Sequence, residues 1–381
     1  MKIGIPKEIA PGETRVALAP GAIRSLAAEK HQVIIEAGCG RMASFSDEQY
    51  TAAGASVASD TAALYASADV MLKVQPLRDH PVLKKHEASL LREGSSVMGF
   101  LSPLANPGEI RLFVERRISS FSMEFVPRIT RAQSMDALSS MATIAGYKSV
   151  LMATEHLPKM FPLMMTAAGT VPPATVLILG AGVAGLQAIA TAKRLGAKVE
   201  AFDPRPAVKE QVKSLGATFV EMPVQENVET AGGYAKAASE EFLRQEMEVI
   251  GARLKHVDVV ICTAQVFGSR APVLISKEMV GMLRTGSVIV DLAAEQGGNC
   301  ALTEAGKTVH SDGVTIVGAV NVPASLPVDA SQMFARNIVN LLLNTFSADG
   351  AIRFDDEVTK GCCITHGGEI LNALVKSKLQ S

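Results

Sequence analysis

A chain of 381 residues is long enough for two domains with sizeable cores, and its formal net charge of -1 excludes the basic surface of a nucleic-acid binder. Hydrophobic residues make up 48% of it and aromatics only 4%, with no Trp, which suits layered α/β packing with small side chains at helix–sheet contacts. The five cysteines (Cys39, Cys262, Cys300, Cys362, Cys363) are odd in number and lack metal-ligand spacing, so they read as reduced thiols of a cytosol-like compartment.

Lys2–Ile5 is expected to form a first strand rather than part of a signal peptide. Pro20 opens an amphipathic helix carrying Ile23, Leu26 and Ala27, and Gln32–Glu36 reads as the next strand. Ser46, followed by Asp47 and Glu48, marks a helix N-terminus. Val70–Val74 and Ser96–Phe100 read as strands, Pro107–Arg117 as a helix, and Ser119–Glu124 as a further strand. Strands alternating with helices predict a parallel sheet covered on both faces. A helical run over Ala137–His156 then carries the chain into a second unit. There the apolar strand Val176–Leu179 breaks into Gly180, Gly182 and Gly185, spaced G-x-G-x-x-G. A helical pattern through Leu186, Ile189, Ala190 and Lys193 stops at Gly196, and the strand Val199–Phe202 ends in Asp203. Helices near Ala207–Leu215 and Ser239–Leu254 and strands at Val257–Cys262, Ser287–Asp291 and Val314–Gly318 follow. The helix Gln332–Leu343 returns the chain to the first unit, with a last strand near Val358–Thr365. The expected fold is α/β: two Rossmann-like doubly wound parallel-sheet domains separated by a cleft, residues 1–130 with 325–381 in one and 131–324 in the other. No apolar run approaches the roughly 20 residues that span a bilayer.

The glycine stretch has a physical reading at each position. Gly180 permits the tight turn, Gly182 lets backbone approach a pyrophosphate, and Gly185 lets the helix pack closely on the strand. The helix N-terminus at Val183 and Ala184 offers N–H groups and partial positive charge. Asp203 stands where a carboxylate accepts a ribose 2′-OH and repels a 2′-phosphate, favouring NAD over NADP, while Arg205 pulls the other way. A plain βα turn would not need every one of these parts in register, so a dinucleotide site is expected.

Other candidates are less determined. The loop Pro127–Asp136, with Arg128, Arg131, Gln133, Ser134 and Asp136, precedes Ser139 and Ser140 at the expected domain junction. It could orient a nicotinamide ring, or be a polar linker whose Asp136 or Ser134 caps the next helix, and the residues alone leave both readings open. Arg15 and Lys73 could bind a carboxylate or be ordinary surface cations. The stretch Thr230–Ala235 presents Tyr234 on a Gly232-Gly233 hinge, as a lid or an ordinary turn. Asp291–Asn299 follows a strand and falls at a sheet's C-terminal edge. The seven histidines are scattered, and no metal site, G-x-S-x-G elbow or P-loop is expected.

The stretches Gly12–Ala17, Pro127–Asp136, Thr166–Ala174, Asp203–Pro206, Gly232–Lys236 and Val290–Glu295 together resemble the NAD(H)-binding component of proton-translocating nicotinamide nucleotide transhydrogenases. The resemblance runs along essentially the whole chain, including Phe354–Val358. It implies that this chain holds NAD(H), a partner subunit holds NADP(H), and hydride passes directly between the two nicotinamide rings. Proton movement would be coupled in membrane-spanning partner subunits. The chain would be a homodimer, peripheral on the cytoplasmic face of the inner membrane, and inactive in the full reaction alone. The family's nicotinamide loop maps onto Arg128, Gln133, Asp136 and Ser139, with Tyr147 on the following helix. Its mobile loop maps onto Gly233 and Tyr234, Asp203 with Arg205 would meet the adenosine ribose, and Ala264 would border the nucleotide.

Alanine dehydrogenase, an NADH-dependent reductive aminase of pyruvate, shares the plan and is the rival. Its carboxylate-binding pair corresponds to Arg15 and Lys73, but its catalytic His should fall near Met98–Leu101, where Phe100 stands, and its catalytic Asp aligns with Glu295. Amination needs proton transfer, so the missing imidazole weighs against it. One departure from the transhydrogenase pattern is Ala264-Gln265-Val266-Phe267-Gly268-Ser269-Arg270-Ala271-Pro272, where that family has Ala-Leu-Ile-Pro-Gly-Lys-Pro-Ala-Pro. A non-catalytic NAD-binding module is a third reading.

Overall fold

The computed structural model describes residues 1–222, 239–266 and 268–380. Six early β-runs pair with one another: β1 (Lys2–Ile5), β2 (Gln32–Glu36), β3 (Ser56–Ala58), β4 (Val70–Leu72), β5 (Ser96–Gly99) and β6 (Ser119–Ser122). A hairpin follows, β7 (Met164–Thr166) and β8 (Gly169–Val171). The second set is β9 (Thr175–Leu179), β10 (Lys198–Phe202), β11 (Thr218–Val220), β12 (Val259–Cys262), β13 (Val288–Asp291), β14 (Thr308–Ser311) and β15 (Val314–Gly318). Finally β16 (Cys363–His366) and β17 (Glu369–Ile370) join the first sheet. The strand orders are β17-β16-β6-β5-β4-β1-β2-β3 and β11-β10-β9-β12-β13-β15-β14. Within these two sheets pairing is parallel except where β16 meets β6 and β17, and where β14 meets β15; the hairpin β7–β8 is antiparallel. Each sheet therefore contains the doubly wound 3-2-1-4-5-6 order, reversing between β1 and β4 in one and between β9 and β12 in the other.

Alternation along β9 explains why both faces of the second sheet are covered. Val176 and Ile178 pack with Ala188, Ile189 and Ala192 of the helix Val183–Arg194 and with Val150 and Ala153 of the helix Ala137–His156. Leu177 and Leu179 point the other way, against Ile250 and Leu254 of the helix Glu240–Leu254. A strand buried on both sides reads as a continuous apolar run, as this one does.

The chain forms two compact units, Met1–Met141 with the segment from Pro323 onward, and Ala142–Val322. The division falls inside the helix Ala137–His156 rather than at residue 130. The physical reason is that the preceding loop is tied to the first unit. The Ser134 carbonyl accepts from Asn337 and Asn340 of the helix Pro327–Thr345 (2.9 and 3.1 Å), and Arg131 pairs with Asp356 and Glu357 (2.6 and 3.2 Å).

Local chemistry also corrects the tail. Val358–Thr365 is not one strand: Asp356 accepts from the N–H groups of Val358 and Thr359, capping a helix over Glu357–Cys362, and only then does β16 begin. The helix start at Ser46 is a capping box, closed by Gln49. Among the described residues no helix is long and apolar enough to cross a membrane.

Candidate functional site

The glycine turn sits at the C-terminal end of β9, where the second sheet's strand order reverses, the place at which open α/β sheets form ligand crevices. Gly180 has φ +96, a backbone state that L side chains rarely adopt. A Cβ on Gly185 would lie 1.9 Å from the Gly180 carbonyl oxygen, so helix and turn touch backbone to backbone. A Cβ on Gly182 would meet nothing within 4 Å. That space is open to a ligand, and a small residue there is needed only if something approaches. Gly182 is the N-cap of the helix Val183–Arg194, and no side chain caps it. The first-turn N–H groups and the positive helix end are thus left to an anion. The cradle fits a dinucleotide pyrophosphate.

Residues outside the glycine motif also build this turn. A Cβ on Gly146 would lie 2.1 Å from the Ala184 carbonyl oxygen, so Gly146 lets the helix Ala137–His156 press against the first turn of the next helix. Across the switch point, Thr263 Oγ1 donates to the Gly180 carbonyl at 2.9 Å, just after β12. Ala264, next to it, is held by Asn299: its N–H donates to Asn299 Oδ1 (3.0 Å) and its carbonyl accepts from Asn299 Nδ2 (2.9 Å). Asn299 Nδ2 also reaches the Pro272 carbonyl, and Gln265 donates to the Leu292 carbonyl, so Ala264, Gln265 and Pro272 of the divergent stretch are fastened to the loop after β13.

Asp291, a candidate from the sequence, has a structural task. Fully buried, its carboxylate accepts from the N–H groups of Ala293, Asn299 and Cys300 and from Thr303 Oγ1, which orders the turn through Gly297 and Gly298. Glu295 is exposed.

Asp203, only 4% exposed, receives the Ala181 N–H at 2.7 Å and so joins the end of β10 to the glycine turn. Arg205 forks onto the same carboxylate, Nε to Oδ1 and Nη2 to Oδ2, both at 2.9 Å.

In the nicotinamide-loop candidate, Asp136 binds the first helical turn. It accepts from the Ser139 N–H at 2.9 Å and from Ser139 Oγ at 2.6 Å, so the capping role is real. Arg128 and Gln133 are exposed, and the Ser134 carbonyl clamp by Asn337 and Asn340 holds the loop from behind. Arg128, Gln133, Asp136 and Ser139 belong to the first unit; Tyr147 (41% exposed), the glycine turn, Asp203, Arg205 and Ala264 belong to the second. Gly233 and Tyr234 lie outside the described residues.

Arg15 and Lys73 are not surface cations. Arg15 is bidentate on Glu13 (2.8 and 2.6 Å). Burial pushes the Glu13 carboxyl up, but its bonds from Arg15 and Gln75 outweigh that and bring it down to about 2. Lys73 is fully buried, 2.5 Å from Glu87 and 3.7 Å from Glu8. Burial alone would push Lys73 down, yet Glu8 and Glu87 raise it, so it stays charged. Both cations are committed to carboxylates of this chain. The Phe100 ring packs on Phe334 with centroids 5.3 Å apart. Among the described residues no cluster of His, Cys, Asp and Glu could hold a metal ion.

A doubly wound sheet with an open glycine turn at its switch point and a carboxylate closing the next strand defines a dinucleotide-binding protein. The chain belongs to the alanine dehydrogenase/PNT family: residues 4–145 match that family's N-terminal domain and residues 149–373 its C-terminal domain. It is 47% identical over 380 residues to an NAD(P) transhydrogenase subunit alpha polypeptide of Rhodospirillum rubrum, covering 98% of each chain. A solved transhydrogenase structure from Sinorhizobium meliloti is 41% identical with a TM-score of 0.86, covering 97% of this chain and 100% of that one. A solved L-alanine dehydrogenase also shares the fold, at 25% identity and a TM-score of 0.82, covering 100% of this chain and 99% of that one.

Proposed function

We propose that this chain is the NAD(H)-binding subunit of a proton-translocating, Re/Si-specific transhydrogenase. NADH held here exchanges hydride directly with NADP⁺ held on a partner subunit. The observation that carries this reading is the full-length likeness to a transhydrogenase alpha subunit, set on a chain with an open dinucleotide turn. Gly180, Gly182 and Gly185, with the backbone of Val183 and Ala184, would hold the pyrophosphate, and Asp203 with Arg205 the adenosine ribose. Ala264 would border the nucleotide. Arg128, Gln133, Asp136 and Ser139 would orient the nicotinamide, with Tyr147, Gly233 and Tyr234 covering the bound molecule. The dinucleotide supplies the hydride, and no exchangeable proton is involved at the reacting carbons. The protein's task is therefore positioning, with no general acid or base required. Such a subunit would sit peripherally on the cytoplasmic face of the inner membrane through its membrane-spanning partners.

The test separates this reading from its rival. With NADH, pyruvate and ammonium the purified chain should bind NADH but show no catalytic loss of reduced-nicotinamide absorbance, because Arg15 and Lys73 are already paired and the stretch Met98–Leu101 holds Phe100 and no histidine. Adding NADP(H)-binding and membrane partner subunits with NADP⁺ should start turnover. Rapid turnover with pyruvate would establish the dehydrogenase; binding with no turnover in either mixture would leave a non-catalytic module.

We also propose that the hairpin β7–β8 mediates a homodimer. Every residue of both strands is exposed, Met165 at 78%, and residues 160–174 carry no charged side chain. A lone two-stranded hairpin is marginal in water, and its exposed apolar side chains, Leu163, Met165 and Val171 among them, favour burial against a partner. Met164→Glu with Met165→Glu should shift the sedimenting species from dimer to monomer. A mutant that sediments as the wild type does would remove the hairpin from the interface.

A further inference from the structure

The carboxylate that closes β10 already accepts four hydrogen bonds from its own chain. Asp203 Oδ1 accepts the Arg205 N–H and Nε, both at 2.9 Å; Oδ2 accepts the Ala181 N–H at 2.7 Å and Arg205 Nη2 at 2.9 Å. Side-chain exposure is 3% for Asp203 and 14% for Arg205, so the pair is largely out of water, where a bidentate guanidinium–carboxylate contact is strongest. The backbone holds it in place. Arg205 lies between Pro204 and Pro206, whose rings fix φ on either side, and Pro206 starts a short 3₁₀ turn over Pro206–Val208.

This geometry reverses the usual meaning of an arginine here. In a doubly wound sheet an arginine beside the end of this strand receives a 2′-phosphate, and a carboxylate rejects it. Both are present, two residues apart, and each cancels the other.

We propose that Arg205 is a specificity-determining residue: a 2′-phosphate receptor that Asp203 holds neutral, so that the pair, rather than Asp203 alone, selects NAD(H). The proposal rests on the dinucleotide reading above. A 2′-phosphate would have to take the guanidinium from Asp203 and then lie against the carboxylate it displaced. A 2′-OH brings no charge and needs only to share the carboxylate. Removing Asp203 takes the bidentate carboxylate off the guanidinium, and that planar fork is suited to bidentate binding of a phosphate.

The experiment measures NADH and NADPH binding to the full chain by nicotinamide fluorescence for the wild type, Asp203→Asn, Arg205→Gln and the double variant, at low and high salt. Adenosine 2′,5′-bisphosphate serves as a second, nicotinamide-free probe. The isosteric Asp203→Asn should bind NADPH at least about 10-fold more tightly than the wild type, with the gain shrinking as salt rises. Adding Arg205→Gln should return NADPH affinity to within about threefold of the wild type, and Arg205→Gln alone should still reject NADPH. Asp203→Ser, read the same way, replaces Asp203→Asn if melting curves show the latter misfolded. No gain in the Asp203 variants, or a gain that survives in the double variant, overturns the role of Arg205. A wild-type chain that binds neither nucleotide overturns the dinucleotide reading instead.

Discussion

Replacing Gly185 with alanine should cost the protein its NADH binding and a large fraction of its stability together, whereas Gly182→Ala should cost the binding alone. The two glycines belong to one motif but meet different surroundings. A methyl group on Gly185 falls 1.9 Å from the carbonyl oxygen and 2.9 Å from the carbonyl carbon of Gly180. That peptide cannot retreat easily: Gly180 donates to the Phe202 carbonyl at 2.8 Å and accepts from Thr263 at 2.9 Å. Relief has to come from moving the helix Val183–Arg194, whose Ala188 and Ile189 are fully buried. Overpacking against backbone of this kind costs about 3 kcal/mol, and it displaces the first-turn N–H groups that would hold the pyrophosphate. At Gly182 φ is -75 and nothing lies within 4 Å, so an alanine fits the free protein without strain. Its methyl group only occupies the space a ligand would need. Thermal melting with NADH titration reads both effects. Gly185→Ala should lower the midpoint by several degrees, and Gly182→Ala should leave it in place while weakening NADH by at least about 10-fold. Wild-type affinity in Gly182→Ala would mean that the open face of the turn is not where the nucleotide lies.

That contrast also shows what could be read from the sequence and what could not. The glycine turn was legible because its signal is local: an apolar strand, three spaced glycines, a helix and a second strand ending in an acid all fall within Val176–Asp203. Gly146 was not, because its reason for being glycine is the Ala184 carbonyl, a contact made only after two helices pack. Asn299 is one polar loop residue among several in the sequence, and only the fold brings Ala264 and Pro272 onto its amide. For Asp136 both readings were open, and the bond to Ser139 shows the cap without testing a contact to nicotinamide. In the tail, the β-branched and Cys-rich run suggested a strand, but one capping aspartate, Asp356, decided the first half for helix. Lys73 carried a usable signal, a lone cation inside the apolar run Val70–Val74, yet its partners Glu8 and Glu87 arrive from elsewhere in the chain. Local propensity shows elements and turns; pairing of buried charge is settled by topology.

The same buried charges predict a pH dependence of stability that a single substitution should remove. Glu109 lies in the first turn of the helix Pro107–Glu115, 6% exposed, with Oε1 buried and unpartnered among the described residues. Burial is the main force on it. The Leu77 N–H and the more distant Lys73 pull its carboxyl down, Glu87 and Glu124 push it up, and the result is about 8. Lys73 cannot neutralise it, being engaged by Glu87 and Glu8. In the unfolded chain the same carboxyl titrates near 4.3. Between these values the folded protein binds the proton and the unfolded chain does not, so stability falls as pH rises from about 4.5 to about 8 and levels off above. Glu13 has the opposite sign, since its folded value of about 2 is lowered, and its contribution fades only in acid, outside this window. Glu109→Gln preserves shape and hydrogen-bonding capacity but cannot ionise. Urea unfolding at pH 4, 7 and 9 should show the variant level with the wild type in acid and more stable in alkali, by an amount on the order of 3–5 kcal/mol. Curves that stay parallel across that range would mean Glu109 is hydrated or paired in solution, and the pH response would then have to come from Glu8 or Glu124, which burial also raises.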